Sequence, residues 1–183
     1  MRKLAFYIIP LGTYNEGIVN DVYRLLVDVF GVEVKVLNLL SIPEDLKNPY
    51  RGQYNGLRVL NWLNTLIPSR EEVLVGIADE DAYVPGLNFI FGIADPNTGV
   101  AVVFLERLKT DATMDKLVVR VRKEVLHEVG HVLGLKHCPN RRCVMTFSNS
   151  IYDTDYKEYK YCRQCYSELL RLGYRINTDY VIT

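Results

Sequence analysis

The histidine and cysteine residues of this chain all lie in one segment. All three histidines and all four cysteines of the 183 residues fall between His127 and Cys165. Imidazole and thiolate groups are good ligands for zinc, and none of them is used elsewhere in the chain. This segregation indicates metal binding rather than general core packing. We expect two Zn²⁺ ions per chain, one catalytic and one structural.

The first group of candidate ligands lies in the sequence HEVGHVLGLKH, which ends at His137. Residues four apart share one face of a helix, so His127 and His131 can present two imidazoles to one ion. Gly134 can take the left-handed conformation that ends a helix, which lets the chain turn and adds His137 as a third ligand. Three neutral nitrogens leave the fourth position of a tetrahedral zinc open to water.

Glu128 is the candidate catalytic residue, because it follows His127 and can reach a water held by the metal. Zinc lowers the pKa of such a water to about 7. Glu128 would accept its proton as a general base and pass it to the leaving amine as a general acid. The H-E-x-x-H pattern alone occurs by chance on many helices, but here the spaced glycine and the third histidine accompany it. The residues therefore predict hydrolysis of an amide bond.

The cysteines form a second group with the spacing of a zinc site, Cys138-x4-Cys143 and Cys162-x2-Cys165. Four thiolates around one ion make a closed structural site with no room for water. Because Cys138 directly follows His137, this metal should also help to fix the third histidine. Two disulfides or buried free thiols are the alternative interpretation.

Together, the histidine motif, the adjoining Cys138, the Cys143-Val-Met145 triplet and Cys162-x-x-Cys165 resemble the archaemetzincin family of metzincin zinc proteases. The resemblance implies a catalytic zinc on the three histidines, a catalytic Glu128, a second zinc on the four cysteines, and Met145 packed beneath the catalytic zinc. It also implies a twisted five-stranded sheet with one antiparallel edge strand above the active-site helix. In some relatives a tyrosine two places after the methionine approaches zinc. Phe147 occupies that place here, so no fifth ligand is expected.

Alternating strand and helix patterns predict one α/β domain with a mixed, mostly parallel sheet. The predicted strands are 3–9, 32–40, 73–78, 89–94 and 100–108, with 88–94 as the edge strand, and the predicted helices are 15–30, 57–67, 113–133 and 167–174. Residues 41–55 are predicted to be a loop and a candidate lid. The aliphatic-poor segment after His137 indicates a zinc-stabilised C-terminal subdomain, 138–183, beside an N-terminal subdomain, 1–137, that includes the active-site helix.

Composition excludes some classes of partner. The 22 basic and 22 acidic residues balance, which argues against nucleic acid or an anionic membrane as the main partner. No apolar run reaches the roughly 18 residues of a membrane helix. We expect a cytoplasmic monomer, and the histidine motif predicts a peptide or protein substrate.

The acidic residues Asp79, Glu80 and Asp81 could bind a cation or a basic substrate residue, although a polar loop at a strand end explains them more simply.

Two other functional classes stay open at this point. A zinc protein could bind peptides or a protein partner without hydrolysing them, since a preserved site does not prove turnover. A zinc-ribbon module built from the cysteine pairs would instead bind oligonucleotides in a strongly salt-dependent manner.

Overall fold

The computed structural model describes residues 4–13, 15–66 and 72–183, and contains the following helices and strands. The strands are β1 (Ala5–Leu11), β2 (Glu33–Val36), β3 (Lys47–Asn48), β4 (Gln53–Asn55), β5 (Glu72–Ala78), β6 (Ala82–Tyr83), β7 (Gly92–Asp95) and β8 (Val100–Phe104). The α-helices are α1 (Glu16–Phe30), α2 (Gly56–Asn64), α3 (Met114–Val132), α4 (Ile151–Tyr156) and α5 (Arg163–Arg171).

Five strands form the central mixed sheet, in the order β2-β1-β5-β8-β7. Strands β2, β1, β5 and β8 are parallel, and β7 pairs antiparallel with β8 at the edge. Every residue of β8 is buried, as expected for a strand covered on both faces. The predicted α/β fold with an antiparallel edge strand is confirmed. The predicted strand bounds of 88–94 are wrong, because β7 begins only at Gly92 and Gly86 turns the preceding chain at a φ of 93°.

Helices cover both faces of this sheet. Helices α1 and α3 pack on one face, where Phe6, Val75 and Val103 meet the apolar side of each helix. Helix α2 packs on the other face against Leu74 and Val102. The sheet thereby supports α3, which carries two of the candidate zinc ligands, along its length.

Helix α3 has well-defined ends. The side chain of Thr113 accepts a hydrogen bond from the backbone N–H of Lys116 and caps the N-terminus. Apolar residues recur at helical spacing on its buried side, including Leu117, Val121 and Val125. The helix ends at Val132, and Gly134 follows with a φ of 103°.

Short elements depart from the sequence prediction. Residues 41–55 are not a plain loop: β3 and β4 pair there and, with β6, form a second small sheet that buries Tyr54. Helix α4 was not predicted, and the last helix spans 163–171 instead of 167–174. Strands of two or three residues and a six-residue helix show too little periodicity to be detected. Helix α5 begins with the polar Arg163 and Gln164, so its aliphatic residues start only at Leu169.

The acidic loop after β5 forms ion pairs within the fold. Asp81 lies 2.8 Å from Arg107, Asp79 pairs with Lys109, and Glu80 lies 3.7 Å from Lys47. The structure therefore favours the simpler interpretation, a polar loop at the end of a strand. Among the described residues, no helix has the length and apolarity needed to cross a membrane.

A partly buried ion pair attaches α4 to α3. The Arg120 guanidinium donates to both carboxylate oxygens of Asp155, at 2.7 and 2.8 Å, and to the backbone oxygens of Leu108 and Thr110. Chiefly because Arg120 hydrogen-bonds it, the pKa of Asp155 falls from 3.8 to about 2. This carboxylate therefore contributes stability above its unfolded pKa, and the contribution is lost as the pH falls toward about 2.

We expect Asp155→Asn to lower the free energy of unfolding at pH 7 by about 2 kcal/mol. The difference from wild type should shrink as the pH falls from about 4 to about 2, where Asp155 becomes protonated. Urea unfolding at several pH values measures it. The exposed pair of Asp45 and Arg58 provides a control, since Asp45→Asn should change stability by less than about 1 kcal/mol. A difference that persists unchanged at low pH would contradict this account.

Candidate metal centres and catalytic cleft

The three histidines converge on one point. His127 and His131 lie one turn apart on α3, with their Nε2 atoms 3.1 Å apart. His137 joins them from the chain after the helix, and one ligand atom of each residue lies within 4.8 Å of the others. A tetrahedral zinc with Zn–N bonds of about 2.0–2.1 Å places its nitrogens about 3.3 Å apart, so the arrangement fits a zinc ion.

Backbone carbonyls orient the two helical histidines. His127 Nδ1 donates to Val144 O, and His131 Nδ1 donates to Leu135 O, both at 2.8 Å. Because a carbonyl oxygen can only accept, each Nδ1 carries the hydrogen and each Nε2 keeps its lone pair for a metal. Burial, with the positive charge of Lys157 as a further cause, lowers the pKa of His127 and His137. The neutral imidazole needed for metal binding is thereby favoured.

The turn after α3 depends on Gly134, as the sequence predicted. The Gly134 N–H donates to His131 O, and the Leu135 N–H donates to Gly130 O. A φ of 103° is one that other residues rarely adopt. This turn places Leu135 O within hydrogen-bond distance of His131 Nδ1. It also brings His137 back to the other two histidines.

Glu128 lies on the same face of α3 and lines the cleft, where its side chain is buried. Burial, with the nearby Glu124 as a second cause, raises the pKa of Glu128 well above its usual range. The edge strand passes directly over it: a Cβ built on Gly92 would lie 2.6 Å from Glu128 Oε1. A glycine at this point of β7 therefore makes room for the candidate base.

Met145 packs against the active-site helix at Gly130, between the two helical histidines. A Cβ on Gly130 would lie 2.3 Å from Met145 Sδ and 3.3 Å from Tyr161. The sequence interpretation explained Gly134 but missed Gly92 and Gly130. Their neighbours are distant in sequence, and no local pattern marks them.

We expect Gly130→Ala to destabilise the zinc-loaded protein by about 1–3 kcal/mol, because overpacking against Met145 outweighs the gain in helix propensity. Denaturant unfolding measures this. Gly17→Ala is a matched control: Gly17 lies in α1, where a Cβ meets only Asn15 Oδ1 at 3.4 Å. That change should leave stability equal or raise it by up to about 1 kcal/mol. A Gly130→Ala variant as stable as the control would show that Met145 moves aside at no cost.

The four cysteines form a second, separate cluster. Their sulfurs all lie within 4.8 Å of one another, and the Cys138–Cys162 and Cys143–Cys165 pairs are each 3.7 Å apart. Zn–S bonds of about 2.3 Å in a tetrahedron place sulfurs about 3.8 Å apart, so this cluster also fits zinc. All four thiols are free and buried in this structure, with no disulfide among them. The hydrogen bond between the Cys143 and Cys165 thiols lowers the pKa of Cys143 to about 6 and raises the pKa of Cys165, so the thiolate needed for a metal ligand is favoured at Cys143.

Backbone links join the cysteine cluster to the histidine cluster. The Cys138 N–H donates to Met145 O at 2.9 Å. Val144, whose carbonyl orients His127, lies between Cys143 and Met145. Tyr161, buried next to Cys162, donates its hydroxyl to Leu126 O at 2.7 Å. The segment that carries the cysteines therefore contacts α3 at the positions that support the histidines.

A cleft of about 430 Å³ opens over the histidines. Strand β7 and residues 86–91 form one side of it, and Phe147, Ser148 and Asn149 form the other. The Phe147 ring lies 5.2 Å from the His137 ring, and a phenyl group offers no metal ligand. Strand β7 pairs only with β8 among the described strands, so its outer edge faces the cleft with free backbone groups.

This chain is similar to proteins of known family. The model of peptidase family M54 matches residues 43–171. The archaemetzincin of Methanocaldococcus jannaschii is 38% identical over 173 residues, which cover 92% of this chain and 94% of that protein. Among solved structures, the archaemetzincin of Archaeoglobus fulgidus, complexed with malonate, has 39% identity and a TM-score of 0.81, covering 90% of this chain and 99% of that chain.

The archaemetzincin of Methanopyrus kandleri is also similar in structure. It has 34% identity and a TM-score of 0.83, covering 94% of this chain and 96% of that chain. The match extends over nearly the whole length of each relative. The cluster of three histidines provides the ligand atoms that a zinc ion needs. The chain therefore belongs to peptidase family M54, the archaemetzincins, and is a zinc metalloprotease.

Proposed function

We propose that this protein hydrolyses peptide bonds at a zinc ion held by His127, His131 and His137, with Glu128 as the general base and acid. The observation that carries the proposal is the convergence of the three imidazoles beside a buried carboxylate on the floor of an open cleft. Bound zinc would supply Lewis-acid chemistry, which activates a water molecule and polarises the scissile carbonyl.

The residues of the chain divide the remaining work. Val144 O and Leu135 O hold the His127 and His131 rings with Nε2 toward the metal. Glu128 accepts a proton from the attacking water and delivers it to the leaving nitrogen. Burial raises the pKa of this carboxyl, which makes its carboxylate a stronger base for the proton of the attacking water.

An extended peptide is the substrate geometry that the cleft favours. Its backbone would pair with the free edge of β7 and place the scissile carbonyl over the histidines. Phe147 on the opposite side, exposed over 49% of its surface, would contact substrate side chains. The two sides of the cleft thus provide backbone pairing and side-chain contact, respectively.

A second zinc on Cys138, Cys143, Cys162 and Cys165 completes the proposal, giving two ions per chain. The buried four-sulfur cluster fits a closed site. It connects the turn after His137 to the start of α5, and its role would be structural.

A digest of a mixed peptide library, read by mass spectrometry, tests the function. The zinc-loaded protein should cleave peptides, the metal-free protein should not, and zinc re-addition should restore the same cleavage sites. The ends of the products distinguish internal cleavage from removal of terminal residues. A protein that holds two zinc ions but cleaves no peptide would support instead the alternative of a non-catalytic peptide-binding protein.

A further inference from the structure

Lys157 is a fully buried lysine beside the catalytic cleft that the proposed mechanism does not use. Its side chain is 0% exposed, and its Nζ lies 3.0 Å from Oε1 of Glu124, which is also buried. Thr154 Oγ1 donates to the same carboxylate oxygen at 3.2 Å. Burying a charged pair costs several kcal/mol per ion in lost hydration, so its presence at this point calls for a physical explanation.

The partner of Lys157 lies on the cleft-lining face of α3. Glu124 precedes His127 by three residues and Glu128 by four, and these residues share one face of the helix. The described residues that line the cleft include two carboxylates, Glu124 and Glu128. Of these two carboxylates, only Glu124 forms an ion pair with a described residue.

We propose that Lys157 and Glu124 are a positioning pair: Lys157 holds the Glu124 carboxylate outside the cluster of histidine ligand atoms and offsets the negative charge that Glu124 places near Glu128. In its catalytic consequence this inference rests on the proposed function. Glu128 is then the one carboxylate of the described cleft that is free to act on the substrate water.

An unpaired Glu124 would disturb the site in either protonation state. As a carboxylate it would be a competing oxygen ligand for zinc, and its repulsion of the Glu128 charge would no longer be offset by Lys157. As a neutral carboxylic acid it would hydrogen-bond to a neighbouring carboxylate, and two such groups share protons. The fold prevents both outcomes by giving Glu124 two fixed partners, Lys157 and Thr154.

Arg120, also on α3, is a buried cation whose role is structural. Arg120 is as buried as Lys157 and also attaches α4 to α3, through Asp155. It does not line the cleft. Arg120→Met is therefore a matched control that removes a buried cation without releasing a carboxylate into the site.

The test uses the full chain with zinc in the cysteine site and Co²⁺ in the histidine site, so that the visible spectrum reports the metal's ligands. In Lys157→Met the spectrum should change, and with zinc restored kcat should fall about tenfold or more while KM changes by less than about twofold. The double variant Glu124→Gln/Lys157→Met should recover the wild-type spectrum and most of kcat, since replacing both buried charges removes the stray carboxylate. Thr154→Val should shift the spectrum in the same direction by less, and it replaces Lys157→Met if that variant does not fold.

Arg120→Met should lower stability but leave the spectrum and the kcat of the folded protein as in wild type. The proposal is overturned if the spectrum is unchanged in both Lys157→Met and Thr154→Val. It is also overturned if the double variant is as impaired as the single one, or if Arg120→Met produces the same changes. Absence of turnover in the wild type would remove the proposed function, while the cobalt series would still decide where Glu124 is held.

Discussion

Replacing Glu128 with glutamine is expected to lower kcat by about 10²–10⁴-fold, because the variant keeps the shape of the side chain but cannot accept a proton. KM and the zinc content should change little, since the three imidazoles do not depend on this carboxylate for orientation. Steady-state cleavage of a peptide from the library digest measures both constants.

Two controls keep this result specific to proton transfer. Metal analysis must show that Glu128→Gln retains as much zinc as the wild type. Asp45→Asn, in an exposed ion pair with Arg58 and not among the residues that line the cleft, should leave kcat unchanged. If kcat falls by less than about tenfold, another group accepts the proton and the assignment of Glu128 as the base is wrong.

Loss of one cysteine ligand is expected to affect both metal centres. In Cys143→Ser the cysteine cluster should lose its zinc, because a closed site needs all four thiolates and its binding energy is also folding energy for the segment around it. The neighbouring Val144 O would then no longer be held against His127, nor Met145 against Cys138. The zinc affinity of the histidine site should therefore fall about 10–100-fold, as for the loss of other orienting partners of metal ligands.

Zinc content per chain, zinc competition with a chromophoric chelator and hydrogen exchange of residues 138–165 measure this effect. Ser148→Ala is a control in the same segment, since Ser148 Oγ has no hydrogen-bond partner. A Cys143→Ser variant that keeps wild-type affinity at the histidine site would show that the two centres are energetically independent.

The sequence allowed accurate prediction where the information is local. The i, i+4 spacing on a predicted helix placed His127 and His131 side by side, and Gly134 indicated the turn toward His137. The alternation of apolar strands and amphipathic helices predicted the five-stranded sheet. The apolar patterns of the strands and helices repeat over enough residues to exceed the noise of single-residue preferences.

Features that depend on a few distant contacts were not predictable. The small sheet of β3, β4 and β6 has strands of only two or three residues, so its alternation cannot be distinguished from that of a loop. Gly92 and Gly130 look like any other glycines in the sequence. The requirement for glycine becomes visible only in the packed structure, where β7 lies over Glu128 and Met145 lies against α3, so that neither position has room for a Cβ.

The sequence by itself therefore determined the metal chemistry, because ligand type and helical spacing are properties of neighbouring residues. It also determined the class of fold, because hydrophobic periodicity is likewise local. Tertiary structure alone decided how the site is supported. The carbonyl of Val144 on His127, the buried pairing of Lys157 with Glu124 and the approach of Gly92 to Glu128 join residues 17 to 36 positions apart. Such contacts form only when the whole chain has packed, since burial and exact distance set their energy and no spacing rule encodes them.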